Sequence, residues 1–163
     1  MLYVTWLGES GFLLEDGRHA LLIDPYLSNA LGERRPDRHR LLPVDEGLLR
    51  RPYDLVLLTH CHIDHTDPRT LAALAGHNPR LLLAGPPSSH DVLPDAPIFC
   101  ELTAGNSLRM GDFWITALPA VHSDPYALGY ALAWQGKTLY FSGDTALLCG
   151  LEKRVPQAPE IAF

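Results

Sequence analysis

The chain has 163 residues and a formal net charge of −6, and its composition is 47% apolar and 20% charged. This length is typical of one domain, and this composition excludes a largely disordered chain. The acidic balance argues against a nucleic acid or an anionic membrane as partner, because both attract basic surfaces. No nucleic acid and no membrane are therefore expected as partners.

The sequence shows no secretory signal and no membrane span. Its first ten residues, MLYVTWLGES, lack a basic region followed by a long apolar run. No apolar stretch reaches the roughly 20 residues that are needed to cross a bilayer. The three cysteines cannot all pair with one another, which is typical of reduced thiols. These features predict a cytoplasmic protein.

The first third of the chain begins with short β-type runs and continues as a loop. Strands are predicted at 2–7, 11–15 and 19–24, and Asp16-Gly17 is a hairpin signal between the last two. Segment 28–51 contains six arginines and no strand period, so it is predicted as an exposed loop with a short helix near its end. Its arginines either are solvated or hold a substrate phosphate.

The rest of the chain alternates strands with helices. A continuous apolar run at 54–59 predicts a buried central strand, and Asp67 with Pro68 begins the helix that follows. Further strands are predicted at 80–84, 98–102, 107–110, 113–118, 126–134, 137–142 and 160–163, and a second helix at 146–154. Because most helices fall between strands, we predict an α/β protein with layered sheets and outer helices.

Four candidate metal ligands follow the central strand within six residues. They are His60, His62, Asp64 and His65 in the segment THCHIDH. Alternate side chains of an extended segment point the same way, so the first three can converge, and His65 then suits a second metal. Imidazole and carboxylate ligands suit Zn²⁺, Mn²⁺, Fe²⁺ or Co²⁺. The alternative is a histidine-rich surface turn.

Two more candidate ligands follow the ends of later strands. His122 comes after the strand predicted at 113–118, and Asp144 lies in the segment SGDT after the strand at 137–142. Site residues gather at strand ends in layered α/β folds. Taken alone, His122 is equally well a surface histidine and Asp144 a helix cap. With the histidine cluster present, both are predicted ligands.

These motifs resemble those of the metallo-β-lactamase-fold hydrolase superfamily. The resemblance rests on the segment 60–65, on His122 and on Gly143-Asp144-Thr145. The segments LIDPYLS and THCHIDHTDPRT are further similar to the L-ascorbate-6-phosphate lactonase-like branch. The resemblance implies an αββα sandwich, with residues 1–163 forming one domain that is truncated at its C-terminus.

The resemblance also implies a centre with two divalent metal ions, either zinc or manganese. The implied ligands are His60, His62 and His122 for the first ion, Asp64 and His65 for the second, and Asp144 as a bridge between them. Asp64 would also accept a proton during catalysis. Asp24 would orient a ligand histidine, although a turn former before Pro25 is an equal alternative.

The implied activity is hydrolysis of a small anionic lactone or ester, such as a sugar-acid phosphate lactone, by a hydroxide shared between two metals. One alternative is a phosphodiesterase or nuclease of the same fold. Another is a weakly catalytic metal-binding fragment, because members of the superfamily continue for about half a domain more and carry a last ligand there. A homo-oligomer that covers the exposed sheet is also expected.

Overall fold

Two β-sheets pack face to face, and helices cover the outer side of the first sheet. The computed structural model describes residues 1–93, 98–147, 153, 155–156 and 159–163. In this part of the chain the first sheet contains, in spatial order, β1 (Tyr3–Gly8), β2 (Gly11–Glu15), β3 (Ala20–Ile23), β4 (Leu55–Leu57), β5 (Leu82–Gly85) and β6 (Phe99–Glu101). The pairs β1–β2 and β2–β3 are antiparallel, and β3 to β6 are parallel.

The second sheet is mostly antiparallel. Its strands are β7 (Ser107–Met110), β8 (Phe113–Pro119), β9 (Leu128–Trp134), β10 (Lys137–Phe141) and β11 (Ile161–Ala162). Strand β11 pairs in parallel with β10, and the other neighbours are antiparallel. The helices are α1 (Ala30–Arg34), α2 (Gly47–Arg50), α3 (Pro68–His77) and α4 (Pro87–Asp91), with a 3₁₀ turn at Pro36–Arg38. Among these described helices, none has the length and apolar character of a membrane span.

The central strand is buried on both faces, which explains its continuous apolar run. Leu55 and Leu57 pack against the second sheet. Val56 and Leu58 point the other way, into a layer that includes residues of α2 and α3. Successive side chains of a strand alternate between its faces, so a strand between two layers needs apolar residues at every position. The α/β class with two layered sheets, as predicted, is confirmed.

The predicted strands correspond closely to the observed ones, whereas short helices were missed. Helix α4, which has five residues and begins at Pro87, was not predicted. The loop predicted at 28–51 contains α1 and a 3₁₀ turn in addition to α2. One or two turns are too short to show a helical period in the sequence. The helix predicted at 146–154 lies almost entirely outside the described residues.

Arg40 anchors the segment 28–51 to the first sheet. Its guanidinium donates to the carbonyl oxygens of Leu7, Tyr26 and Leu42 and lies 6.0 Å from the centre of the Tyr26 ring. Arg35 forms an ion pair with Asp37 in the same segment. Arg40 therefore connects the loop to the first sheet, and Arg35 makes only a local contact.

Asp16 organises the hairpin between β2 and β3. Its carboxylate accepts hydrogen bonds from the backbone N–H groups of Arg18 and His19, both at 2.8 Å, and from Trp134 Nε1. Burial opposes the charge on Asp16, but these donors outweigh it and lower its pKa to about 2. The carboxylate therefore stabilises the fold above its ordinary pKa of 3.8, and this contribution is lost as the pH falls towards about 2.

An Asp16→Asn variant should consequently be less stable at pH 7 by about 1 kcal/mol, since it loses charge-assisted bonds in a partly solvated turn. The difference should narrow at about pH 3, where the aspartate of the unfolded wild-type chain is mostly protonated and folding to the ionised state costs free energy. Urea unfolding at the two pH values measures this effect. A difference that is equal at both would contradict the role of the charge.

Candidate metal centre

Side chains from several strand ends meet at one edge of the two sheets. Asp24 follows β3 and His60 follows β4, two parallel strands whose carboxyl ends share this edge. His122 comes from the loop between β8 and β9, and Asp144 from the loop after β10. This topology brings residues that are distant in the sequence to the same edge.

A tight turn presents the histidines of the segment after β4. The carbonyl oxygen of His62 accepts from the N–H groups of His65 and Thr66, at 3.0 and 2.7 Å. The Thr66 hydroxyl donates to the carbonyl oxygen of His60 at 2.7 Å, which closes the turn. The segment is therefore a turn and not an extended strand, although His60 and His62 converge as predicted. The turn brings His65 back against His60, with their ring centres 4.0 Å apart.

The first donor group consists of three imidazoles. His62 Nδ1 lies 3.1 Å from His60 Nε2 and 3.1 Å from His122 Nε2. One ring nitrogen from each of the three residues lies within 4.8 Å of the others. Zinc–nitrogen bonds of about 2.0–2.1 Å in tetrahedral geometry place nitrogens about 3.3 Å apart. The three histidines therefore fit a single cation.

The second donor group shares His60 with the first. It contains His60, His65 and Asp144, whose donor atoms also lie within 4.8 Å of one another. His65 Nε2 is 3.3 Å from Asp144 Oδ1. A mixed imidazole and carboxylate set is typical of sites for zinc or manganese. The two groups thus mark two adjoining positions for cations, and His60, whose neutral imidazole has one lone pair, can bind the cation of only one of them.

Asp24 fixes the orientation of His65. Its carboxylate is buried and accepts from His65 Nδ1 at 2.7 Å, from the Thr59 N–H at 2.8 Å and from the Thr59 hydroxyl at 2.6 Å. The Asp24 backbone has φ of +43°, a left-handed conformation that Asp tolerates better than most residues. Because Nδ1 of His65 is engaged by Asp24, Nε2 is the nitrogen that faces Asp144.

Burial and neighbouring charges set the protonation states of the candidate ligands. Burial, together with neighbouring His65, lowers the pKa of His60 to about 4, so its imidazole is neutral at pH 7. The hydrogen bond from His65 lowers the pKa of Asp144 to about 2 although burial opposes it. Burial also opposes the charge on His65, but the charges and hydrogen bonds of Asp24 and Asp144 raise its pKa to about 10. A proton thus occupies His65 between two carboxylates in the absence of metal.

Asp64 stands apart from the other predicted ligands. Its side chain is partly exposed, and neither of the two donor groups found among the described residues contains it. Its predicted roles as a ligand and as a proton acceptor stay predictions. Cys61 is likewise in neither donor group.

Sequence reasoning missed Asp124. This residue is 5% exposed, and its carboxylate accepts from the Cys61 N–H, the Ser88 hydroxyl and the Tyr126 N–H. Burial opposes its charge, but these donors lower the pKa of Asp124. In the sequence, an aspartate before a proline in a loop is an ordinary turn residue. Only the folded arrangement places it against the turn that carries His60 and His62.

Comparisons with known proteins identify the family. Residues 19–159 match the Beta-lactamase superfamily domain. The chain belongs to this family. The superfamily predicted from the motifs is thereby confirmed, whereas the lactonase-like branch stays a prediction.

Relatives and solved structures agree with this assignment. The chain is 28% identical over 165 residues to a metal-dependent hydrolase of Ruegeria sp. strain TM1040, covering 91% of this chain and 66% of the relative. It is 30% identical over 164 residues to a metal-dependent hydrolase of Oenococcus oeni, with coverage of 91% and 66%. The chain thus spans just under two thirds of the length of these relatives. A metallo hydrolase of Ignicoccus hospitalis shares the fold, with a TM-score of 0.71 and 20% identity over 93% of this chain and 64% of that one.

Proposed function

We propose that this chain is a metal-dependent hydrolase whose two donor groups hold two divalent cations and act on a small lactone or ester. The observation that carries the proposal is the presence of two adjoining groups of imidazole and carboxylate donors at one sheet edge. The relatives that are named metal-dependent hydrolases support it. Zinc suits the all-imidazole group, and either zinc or manganese suits the mixed group.

Divalent cations in such a centre supply Lewis acidity and lower the pKa of water towards about 7. The protein's own residues provide the rest of the arrangement. His60 is neutral at pH 7 because burial disfavours its charged form. Asp24 and Thr59 hold the ring of His65 from behind, so that its Nε2 stays directed at the position shared with Asp144. The centre is thereby preorganised before any cation enters.

The charges around the centre favour a small lactone or ester over a nucleic acid. The net charge of the chain is −6. The guanidinium of Arg40 donates to carbonyl oxygens, and Arg35 is paired with Asp37. A polyanionic phosphodiester would meet repulsion here, since it needs a basic surface.

Parallel assays of the full chain test the proposed activity. The protein is purified without chelators and offered an aryl-substituted lactone, a bis-aryl phosphodiester and a cephalosporin, before and after chelation. We expect turnover of the lactone, its loss on chelation, and its return when zinc or manganese is added back. Preferential hydrolysis of the phosphodiester would overturn the substrate class. A metal-loaded protein that hydrolyses none of the three would overturn the proposed hydrolase.

A further inference from the structure

Two separate loops supply the first donor group, and their relative position decides whether its imidazoles meet. The turn after β4 carries His60 and His62, and the loop between β8 and β9 carries His122. At the base of these loops, the N–H of Leu128 donates to the carbonyl oxygen of Thr59 at 2.8 Å. His122 lies six residues before Leu128 (128 − 122). That backbone bond alone is too distant along the chain to set the place of His122.

Additional contacts hold the His122 loop on both sides of the histidine. On the side towards Asp144, Val121 accepts from the Ala146 N–H at 2.7 Å and donates its own N–H to the Thr145 hydroxyl at 3.0 Å. On the side towards the turn after β4, the connection is made by Asp124. Its Oδ2 accepts from the N–H of Cys61 at 3.1 Å.

Cys61 lies between His60 and His62 in the chain. A hydrogen bond to it therefore links His122, two residues before Asp124, to both His60 and His62. Oδ2 of Asp124 also accepts from the Ser88 hydroxyl of α4 at 2.7 Å, and Oδ1 accepts from the N–H of Tyr126 at 2.9 Å. Both oxygens are engaged in holding the loops, and Asp124 is in neither donor group among the described residues.

Helix α4 supports the same turn through the next serine. Ser89 is buried, and its hydroxyl lies 3.0 Å from that of Thr66. The Thr66 hydroxyl in turn donates to the carbonyl oxygen of His60. The consecutive serines of α4 therefore contact the His122 loop through Asp124 and the histidine turn through Thr66.

We propose that Asp124, held by Ser88, is a positioning residue that sets the separation of His122 from His60 and His62 and so the metal affinity of the first donor group. This inference rests on the proposed function, because it assumes that the group binds a cation. Partners that orient metal ligands typically contribute about 10–100-fold to metal affinity. Asp124 differs from such partners in acting through the backbone of Cys61 and not through a ligand side chain.

Zinc titration of chelator-stripped full chain, in competition with a chromogenic chelator, tests the inference. An Asp124→Ala variant should bind zinc about 10–100-fold more weakly than wild type. Asp124→Asn should lose less zinc affinity, because its amide oxygen can still accept the hydrogen bonds that one of the two carboxylate oxygens accepts in wild type. Ser88→Ala removes one donor and should weaken binding by at most about 10-fold. The matched control is Asp16→Asn, whose carboxylate also accepts from two backbone N–H groups but lies in the β2–β3 hairpin.

Cobalt(II) absorption separates positioning from general stability. The visible bands of bound cobalt report ligand geometry, so they should change in Asp124→Ala and Ser88→Ala and stay as wild type in Asp16→Asn. A folded Asp124→Ala protein with wild-type zinc affinity and cobalt bands would overturn the inference. Should Asp124→Ala not fold, wild-type values for Ser88→Ala would overturn it instead. A wild-type chain that binds no zinc would refute the proposed metal centre itself, which is a distinct result.

Discussion

In a His60→Ala variant, we expect the cation of the first donor group to be lost and turnover to fall to that of chelator-treated protein. His60 is fully buried, and its Nε2 lies 3.1 Å from His62 Nδ1 within that group. Removing His60 leaves the first group with two imidazoles. Because loss of even an outer partner weakens metal binding by about 10–100-fold, loss of a direct ligand should weaken it by more. Elemental analysis of protein purified without chelators measures the result.

The control is His90→Ala, which removes a histidine paired with Glu101 on the surface and outside both donor groups. Its metal content should equal that of wild type. His62→Ala removes a ligand of the first group alone and should leave one ion bound. Retention of both ions by His60→Ala would contradict its role as a ligand.

Asp144 provides a second comparison between the resemblance and the structure. The superfamily resemblance implies that Asp144 bridges both ions, so Asp144→Asn would weaken both together. In the structure its carboxylate belongs to the group of His60 and His65. Titration of this variant distinguishes a bridging ligand from one that serves the second ion alone.

An Asp24→Asn variant should lose both stability and metal affinity. Asp24 and His65 form a buried pair with side chains 2% and 1% exposed, and the carboxylate also accepts two bonds from Thr59. Breaking such a pair from one side costs about 3 kcal/mol or more, since the partner stays buried. Asparagine is the appropriate replacement because it also tolerates the left-handed backbone at this position. Metal affinity should fall by about 10–100-fold, because His65 is no longer oriented.

The pH dependence of this loss follows from His65 in the metal-free protein. Its pKa of about 10 lies above the ordinary value of 6.5. The stabilisation is therefore complete below about pH 6.5 and is lost as the pH rises through about 10. Urea unfolding of stripped protein should show a larger difference between Asp24→Asn and wild type at about pH 6 than at about pH 9. The matched control is Asp54→Asn, whose exposed carboxylate accepts from the Ala20 N–H at the other end of β3 and β4. Wild-type stability and zinc affinity in Asp24→Asn would contradict its role.

Much of the fold could be predicted from local sequence signals. The hairpin signal at Asp16-Gly17 and the continuous apolar run at 54–59 are local features of the sequence. Each predicted strands that the structure contains. Asp67 was expected to cap α3, and its carboxylate does accept from the N–H groups of Arg69 and Thr70. Helices of one or two turns, such as α4, are too short to show a helical period in the sequence. Their ends are set by contacts with other segments.

The residues of the candidate site could be predicted from the sequence, but the way in which they are arranged could not. Residue type and position at strand ends pointed to His122 and Asp144. The mutual placement of His60 and His65 was not predictable, because it depends on a tight turn closed by Thr66. The importance of Asp124 was hidden for the same reason, since its partners lie 63 and 36 positions away in the chain.

Native mass spectrometry of the chelator-stripped full chain, titrated with zinc, shows directly whether two adjoining donor groups hold two cations. Two zinc ions are expected per wild-type chain and at most one per His60→Ala chain at the same free zinc concentration. A wild-type chain that takes up no zinc, or a His60→Ala chain that still takes up two, would contradict this arrangement.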